Sequence, residues 1–164
     1  MKDNFRISSN NKYNLSTIDK NTKHEVKNNK SKKLGKNEII ITLDIKWMDY
    51  MSKREVYFLD NTNYIDNKNF QKTHDNLKEL NKSNVKLYIN EEEYEYNKFF
   101  FPKKCGINII KLVLDIKIED CSYMFYNCRN IISIDLSSFD SRNVTNMSNM
   151  FSECYNLKNV DLSF

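Results

Sequence analysis

Shifted along itself by 26 residues, the chain repeats. Ser122–Ser137 (SYMFYNCRNIISIDLS) falls on Ser148–Ser163 (SNMFSECYNLKNVDLS). The identical pairs are Ser122/Ser148, Met124/Met150, Phe125/Phe151, Cys128/Cys154, Asn130/Asn156, Asp135/Asp161, Leu136/Leu162 and Ser137/Ser163. Ile131/Leu157 and Ile134/Val160 match in kind, and the register extends upstream through Cys121/Met147 to Ile118/Val144. The composition is lopsided: 25 Asn and 22 Lys in 164 residues, and no Ala. Those abundances track AT-rich codons, so Asn and Lys carry little weight here. Codon bias does not set Met-Phe and Cys at a fixed offset. A fixed period constrains the fold, because each unit buries its apolar side against its neighbours.

The spacing within each unit sets further expectations. Ile131-x-x-Ile134-x-Leu136 and Leu157-x-x-Val160-x-Leu162 follow the L-x-x-L-x-L strand of a leucine-rich repeat, with three side chains inward and polar ones between. Val144, Met147, Met150, Phe151 and Cys154 follow one another at steps of 3, 3, 1 and 3, which predicts an amphipathic helix returning on the convex side. The repeat core is then Met124, Phe125, Cys128, Ile131, Ile134 and Leu136, with Met150, Phe151, Cys154, Leu157, Val160 and Leu162. Cys121 stands where the next unit carries Met147, so that position is a small buried apolar site. Cys128 and Cys154 read as a reduced ladder in the core, with a disulfide between adjacent coils as the alternative. The outward positions Ser133, Asp135, Ser137, Asn159, Asp161 and Ser163 form a candidate partner-binding strand face. Asp135 and Asp161 would stand about 5 Å apart in parallel register. Such a strip selects a basic partner, holds a cation, or is solvated beside Ser residues and Lys158.

The pattern M-S-x-M-F-x-x-C-x-N-L-x-x-[IV]-D-L-S-x-F, followed by N-V-T-N-M, resembles the BspA-like leucine-rich-repeat family, whose members include 26-residue-repeat surface proteins and mycoplasma lipoprotein-type proteins. Asn143–Phe151 (NVTNMSNMF) and Asp135–Phe139 (DLSSF) carry the resemblance, over about residues 118–164. It implies a binding or adhesive module rather than an enzyme, with no catalytic residues to carry over. The match stops in mid-repeat, so a fragment of a longer array is expected, with an open C-terminal edge able to self-associate.

Upstream, residues 1–37 hold ten Lys/Arg against three acids (10 − 3 = +7), and residues 38–164 hold 16 against 19 (16 − 19 = −3). The tail has no apolar period and is expected to be disordered. Residues 38–117 read as a β-rich cap domain. Strands are predicted at Ile39–Ile45, Glu55–Leu59 and Ile107–Ile118, a helical turn at Leu77 and Leu80, and a hairpin from Val85 through Asn90-Glu91 to Phe101. The predicted class is α+β: a β-rich cap running into one and a half to two repeats of a leucine-rich solenoid over 118–164.

Composition excludes whole chemistries. Gly35 and Gly106 are the two glycines, so no phosphate-cradling loop exists. His24 and His74 lack neighbours at metal-ligand spacing, and no metal or cofactor is expected. No segment is apolar enough to span a bilayer or to act as an export signal, which favours a cytoplasmic location. The function expected is non-catalytic protein–protein interaction. One competitor is a nucleic-acid or anionic-surface binder acting through the basic tail. Another is an enzyme using Cys105 or the Glu91–Glu95 cluster, where no base or oxyanion donor is recognisable.

Overall fold

A computed structural model of the chain describes residues 37–61 and 77–163. The basic tail up to Lys36 lies outside the described residues. The described residues belong to one compact unit. Its strands are β1 (Glu38–Ile45), β2 (Val56–Tyr57), β3 (Val85–Ile89), β4 (Glu92–Tyr94), β5 (Phe99–Phe100), β6 (Gly106–Leu114), β7 (Ile131–Asp135) and β8 (Asn159–Asp161). The one helix among the described residues is α1 (Trp47–Met51).

Six strands form one sheet in the order β4-β3-β6-β1-β7-β8, and β2 pairs with β5 in a small second sheet. β1 alternates between half-buried and buried along its length, with Ile39, Ile41, Leu43 and Ile45 inward. It is antiparallel to β6 on one side and to β7 on the other, with a register shift at Thr42/Leu43. The β3–β4 hairpin turns through Asn90 and Glu91, both left-handed (φ 50° and 74°), as a two-residue loop requires. Leu77 and Leu80 are buried in a tight turn closed by the Leu80 amide donating to the Leu77 carbonyl (3.1 Å).

The repeats lie coil on coil, with β7 and β8 parallel and Asp135 opposite Asp161. The stretch between the strands, however, is not a helix. Tyr123 and Asn127 are left-handed (φ 58° and 53°), and so are Asn149 and Glu153 (φ 55° and 63°), their equivalents at the 26-residue offset. An L-residue in that region ends an α-helix, and here one recurs every four positions. The amides then alternate. Met124, Tyr126 and Cys128 donate to Cys121, Tyr123 and Phe125 within the coil (3.2, 2.9 and 3.2 Å). Cys121, Tyr123, Phe125 and Asn127 donate sideways to Asn146, Ser148, Met150 and Ser152 of the next coil (2.8, 3.0, 2.9 and 2.9 Å).

The α+β leucine-rich solenoid is therefore overturned. The 3, 3, 1, 3 spacing is met by stacked tight turns: Met150 and Cys154 are buried and Val144 and Phe151 half-buried, whereas Met147, expected to share the buried site of Cys121, is exposed. The sheet is continuous with the strands before the repeats, through antiparallel β1, so the architecture is nearly all-β. Burial falls from one coil to the next. Phe125, Ile131, Ile134 and Leu136 are buried, whereas Phe151, Leu157 and Val160 are half-buried and Leu162 is exposed. Phe125 and Phe151 stack with their ring planes 2° apart and their centroids at 5.6 Å.

Replacing Glu153 by Gly separates the two geometries. A left-handed turn gains up to about 1 kcal/mol, because Gly lacks the steric cost of that region. A helix interior loses about 1 kcal/mol for Gly. The urea midpoint of Glu153→Gly is expected to hold or rise, and a fall of that size would restore the helix.

Candidate binding face

The outward side chains of the sheet form an open face that extends well past the repeats. Register places Tyr88, Lys111, Ile40, Asp135 and Asp161 in one row across five strands. Ile109, Thr42, Ser133 and Asn159 make the adjacent row. Lys111 Nζ lies 4.7 Å from the centroid of the Tyr88 ring on β3, Glu93 stands opposite Tyr88 on the edge strand β4, and Asp135 and Asp161 lie toward the β8 edge. Ile107 and Ile109 are 49% and 47% exposed in the middle.

Four of the six positions expected on a binding face share it. Ser133 and Asp135 are half-buried on β7, and Asn159 and Asp161 are exposed on β8. Ser137 and Ser163 lie beyond the strand ends. Their amides donate to Asp135 Oδ1 (2.8 Å) and Asp161 Oδ1 (2.9 Å), so each Asp also terminates its strand in an Asx turn. The Ser163 hydroxyl bonds the Asp161 carboxylate as well. These bonds hold the Asp161 carboxyl below its ordinary range, so it stays charged opposite Asp135.

The β1 and β6 part of the face was missed from sequence, although a signal existed. In β6 (GINIIKLVL) a buried Asn108 separates two exposed isoleucines, the reverse of ordinary alternation. Asn108 is internal because it is fully used. Its Oδ1 accepts from Asn90 Nδ2 (2.9 Å), and its Nδ2 donates to the Gly106 carbonyl (3.1 Å).

The other sites lack reactive geometry. A cleft of about 580 Å³ beside the β3–β4 hairpin is lined by Leu87, Tyr94, Phe99 and Phe101, with Glu92 and Lys103 at its charged side. Lys103 Nζ bonds Glu92 Oε2 (3.0 Å), and that bond with the one from Tyr94 keeps the Glu92 carboxyl below its usual range. No group of three or more potential metal ligands occurs among the described residues. No helix among them is long and apolar enough to cross a membrane.

All four cysteines are free thiols, Cys105 exposed and the others buried. Cys154 Sγ donates to the Phe125 carbonyl of the previous coil (2.8 Å). Burial pushes the Cys121 thiol up to about 12 and Cys154 up to about 11, with Cys128 well above its ordinary value.

Residues 97–163 match a family model described as Mycoplasma protein of unknown function, DUF285. The matched stretch is under half the chain and takes in β5 to β8 and both repeats. β1, which lies between β6 and β7 in the sheet, falls outside it. No curated protein and no solved structure matches the chain significantly.

Thiol labelling reads the packing directly, since only thiolate reacts. At mildly alkaline pH Cys105 is expected to be labelled within minutes, and Cys121, Cys128 and Cys154 only after urea unfolding. Rapid labelling of Cys128 in native buffer would contradict a closed first coil.

Proposed function

We propose that this chain is a non-catalytic protein-binding module, with repeats of the BspA-like kind, whose contact surface is the open sheet face. The observation that carries the reading is the pair Ile107 and Ile109, about half exposed at the centre of a sheet face. Charged side chains border them: Lys111 two residues on from Ile109 along β6, Asp44 opposite Ile107 on β1, and Asp135 and Asp161 across β7 and β8. Antiparallel sheets that face water ordinarily alternate apolar-in and polar-out. An apolar centre within a polar rim is instead the anatomy of a protein contact. Sheet pairing fixes the backbone beneath these side chains, so little conformational freedom is lost on binding.

Panning the folded chain against a displayed random-peptide library tests this. Recovered peptides are expected to combine apolar residues with Lys or Arg toward the Asp135/Asp161 side. Their affinity is expected to fall at least tenfold on Ile109→Asp, with the circular dichroism unchanged, and to weaken on Asp135→Lys. Peptides that bind Ile109→Asp as well as the parent would place the contact elsewhere.

A further inference from the structure

The cleft beside the β3–β4 hairpin lies on the other side of the sheet from the open face. Its wall includes Leu87 and Ile89, the inward residues of β3, whereas Tyr88 between them belongs to the outward rows. Leu87, Ile89 and Phe100 are buried, Phe99 is half-buried, and Phe101 is 59% exposed. Phe99 and Phe101 meet edge to face with their centroids at 5.9 Å. A largely apolar cleft of this volume, with a few polar groups converging on it, suits a small molecule.

One corner of the cleft already holds an ammonium. Lys103 Nζ lies 5.1 Å from the centroid of the Tyr94 ring and 3.0 Å from Glu92 Oε2. The same oxygen accepts from the Tyr94 hydroxyl (2.9 Å), so ring and carboxylate are tied together. An aromatic ring beside a carboxylate is a seat for an organic cation. The contacts with Tyr94 and Glu92 hold the Lys103 ammonium above its ordinary range, so a charged group fills the seat. The Lys103 side chain is 73% exposed, so it reaches the seat from solvent and its methylenes leave the apolar lining uncovered. Exposed ion pairs of this kind contribute little, and the freed lysine regains water. Of the other charges, Glu95 pairs with Lys82 (3.3 Å) and Lys104 is exposed. The ligand is therefore chosen by the seat and not by net charge.

We infer that the cleft binds a small primary alkylamine, whose ammonium replaces that of Lys103 on Tyr94 and Glu92 while its alkyl chain covers the apolar lining. Lys103 is then a built-in competitor that weakens binding. The site is independent of the contact proposed for the sheet face.

The full chain is titrated with pentylammonium, with 1-pentanol as the neutral counterpart and pentanoate as the anionic one. Binding is read from the Tyr94 ring signals in nuclear magnetic resonance spectra, whose amide dispersion also checks the fold of each variant. Pentylammonium is expected to bind about fivefold or more tightly than either counterpart, the scale of one cation–π contact. Lys103→Met is expected to tighten pentylammonium binding severalfold, because the competitor is gone. Adding Glu92→Gln to Lys103→Met is expected to remove that gain and to leave 1-pentanol binding unchanged. Unchanged or weaker pentylammonium binding by Lys103→Met would overturn the proposal, and so would 1-pentanol binding as tightly as pentylammonium. Tighter binding of pentanoate would assign the cleft to an anion at Lys104, again overturning it. Tighter binding of Nα-acetyl-lysine N-methylamide than of pentylammonium would give the seat to a lysine of a protein partner instead. No shift with any probe, in the parent or in Lys103→Met, would leave the cleft without a ligand of this class.

Discussion

The repeats depend on where alternate amides go. In a helix every backbone N–H turns back along its own segment. Here every second one from Cys121 to Asn127 leaves sideways for the next coil. The left-handed residues permit this, since each reversal at Tyr123 or Asn127 re-aims the following peptide. The stacking of Phe125 on Phe151 and the bond from Cys154 to the Phe125 carbonyl follow from the same coil spacing. Buried backbone groups need partners, so the arrangement holds only where a neighbouring coil, or something in its place, supplies them.

The segment after β2 takes that place for the first coil. The Asp60 amide donates to the Met124 carbonyl and the Asn61 amide to the Tyr126 carbonyl, both at 2.9 Å. Asn61 Nδ2 donates to the Asn127 carbonyl (3.1 Å) and Asn127 Nδ2 to the Asn61 carbonyl (3.2 Å). Lys98 Nζ holds the buried Asp60 carboxylate at 3.1 Å, and the Phe58 amide donates to the Lys98 carbonyl (3.0 Å). A few polar residues thus imitate a preceding coil and close its apolar edge. The second coil has no such cover among the described residues, which is why its equivalent side chains are more exposed.

The repeat, its period and the burial of its first unit were legible in the sequence, because apolar positions at fixed steps report burial, but Leu162 and Met147, expected inward, are exposed. The same steps do not report backbone path. A helix and a run of tight turns both turn Met150, Phe151 and Cys154 toward the core, and the φ of Asn149 and Glu153 tells them apart. Asn at 127 and 149 was a hint, since Asn tolerates the left-handed region, but Tyr123 and Glu153 concealed the period. The hairpin at Asn90-Glu91 and strand β1 were legible from local turn chemistry and alternation. Their partners were not, because β1 pairing with β7 spans about ninety residues and depends on register. The outward rows of the sheet were legible as far as β7 and β8, and their continuation onto β1 and β6 required the sheet order.

A sheet face with exposed isoleucines among charged side chains, and a cleft with the Lys103 ammonium at one corner, are both built on that core. The central claim is the coil-to-coil bonding, and scalar couplings across hydrogen bonds in the labelled protein test it most directly. The account expects couplings from the Tyr123, Phe125 and Asn127 amide nitrogens to the carbonyl carbons of Ser148, Met150 and Ser152. Couplings from those amides to carbonyls four residues earlier would show a helix and contradict it.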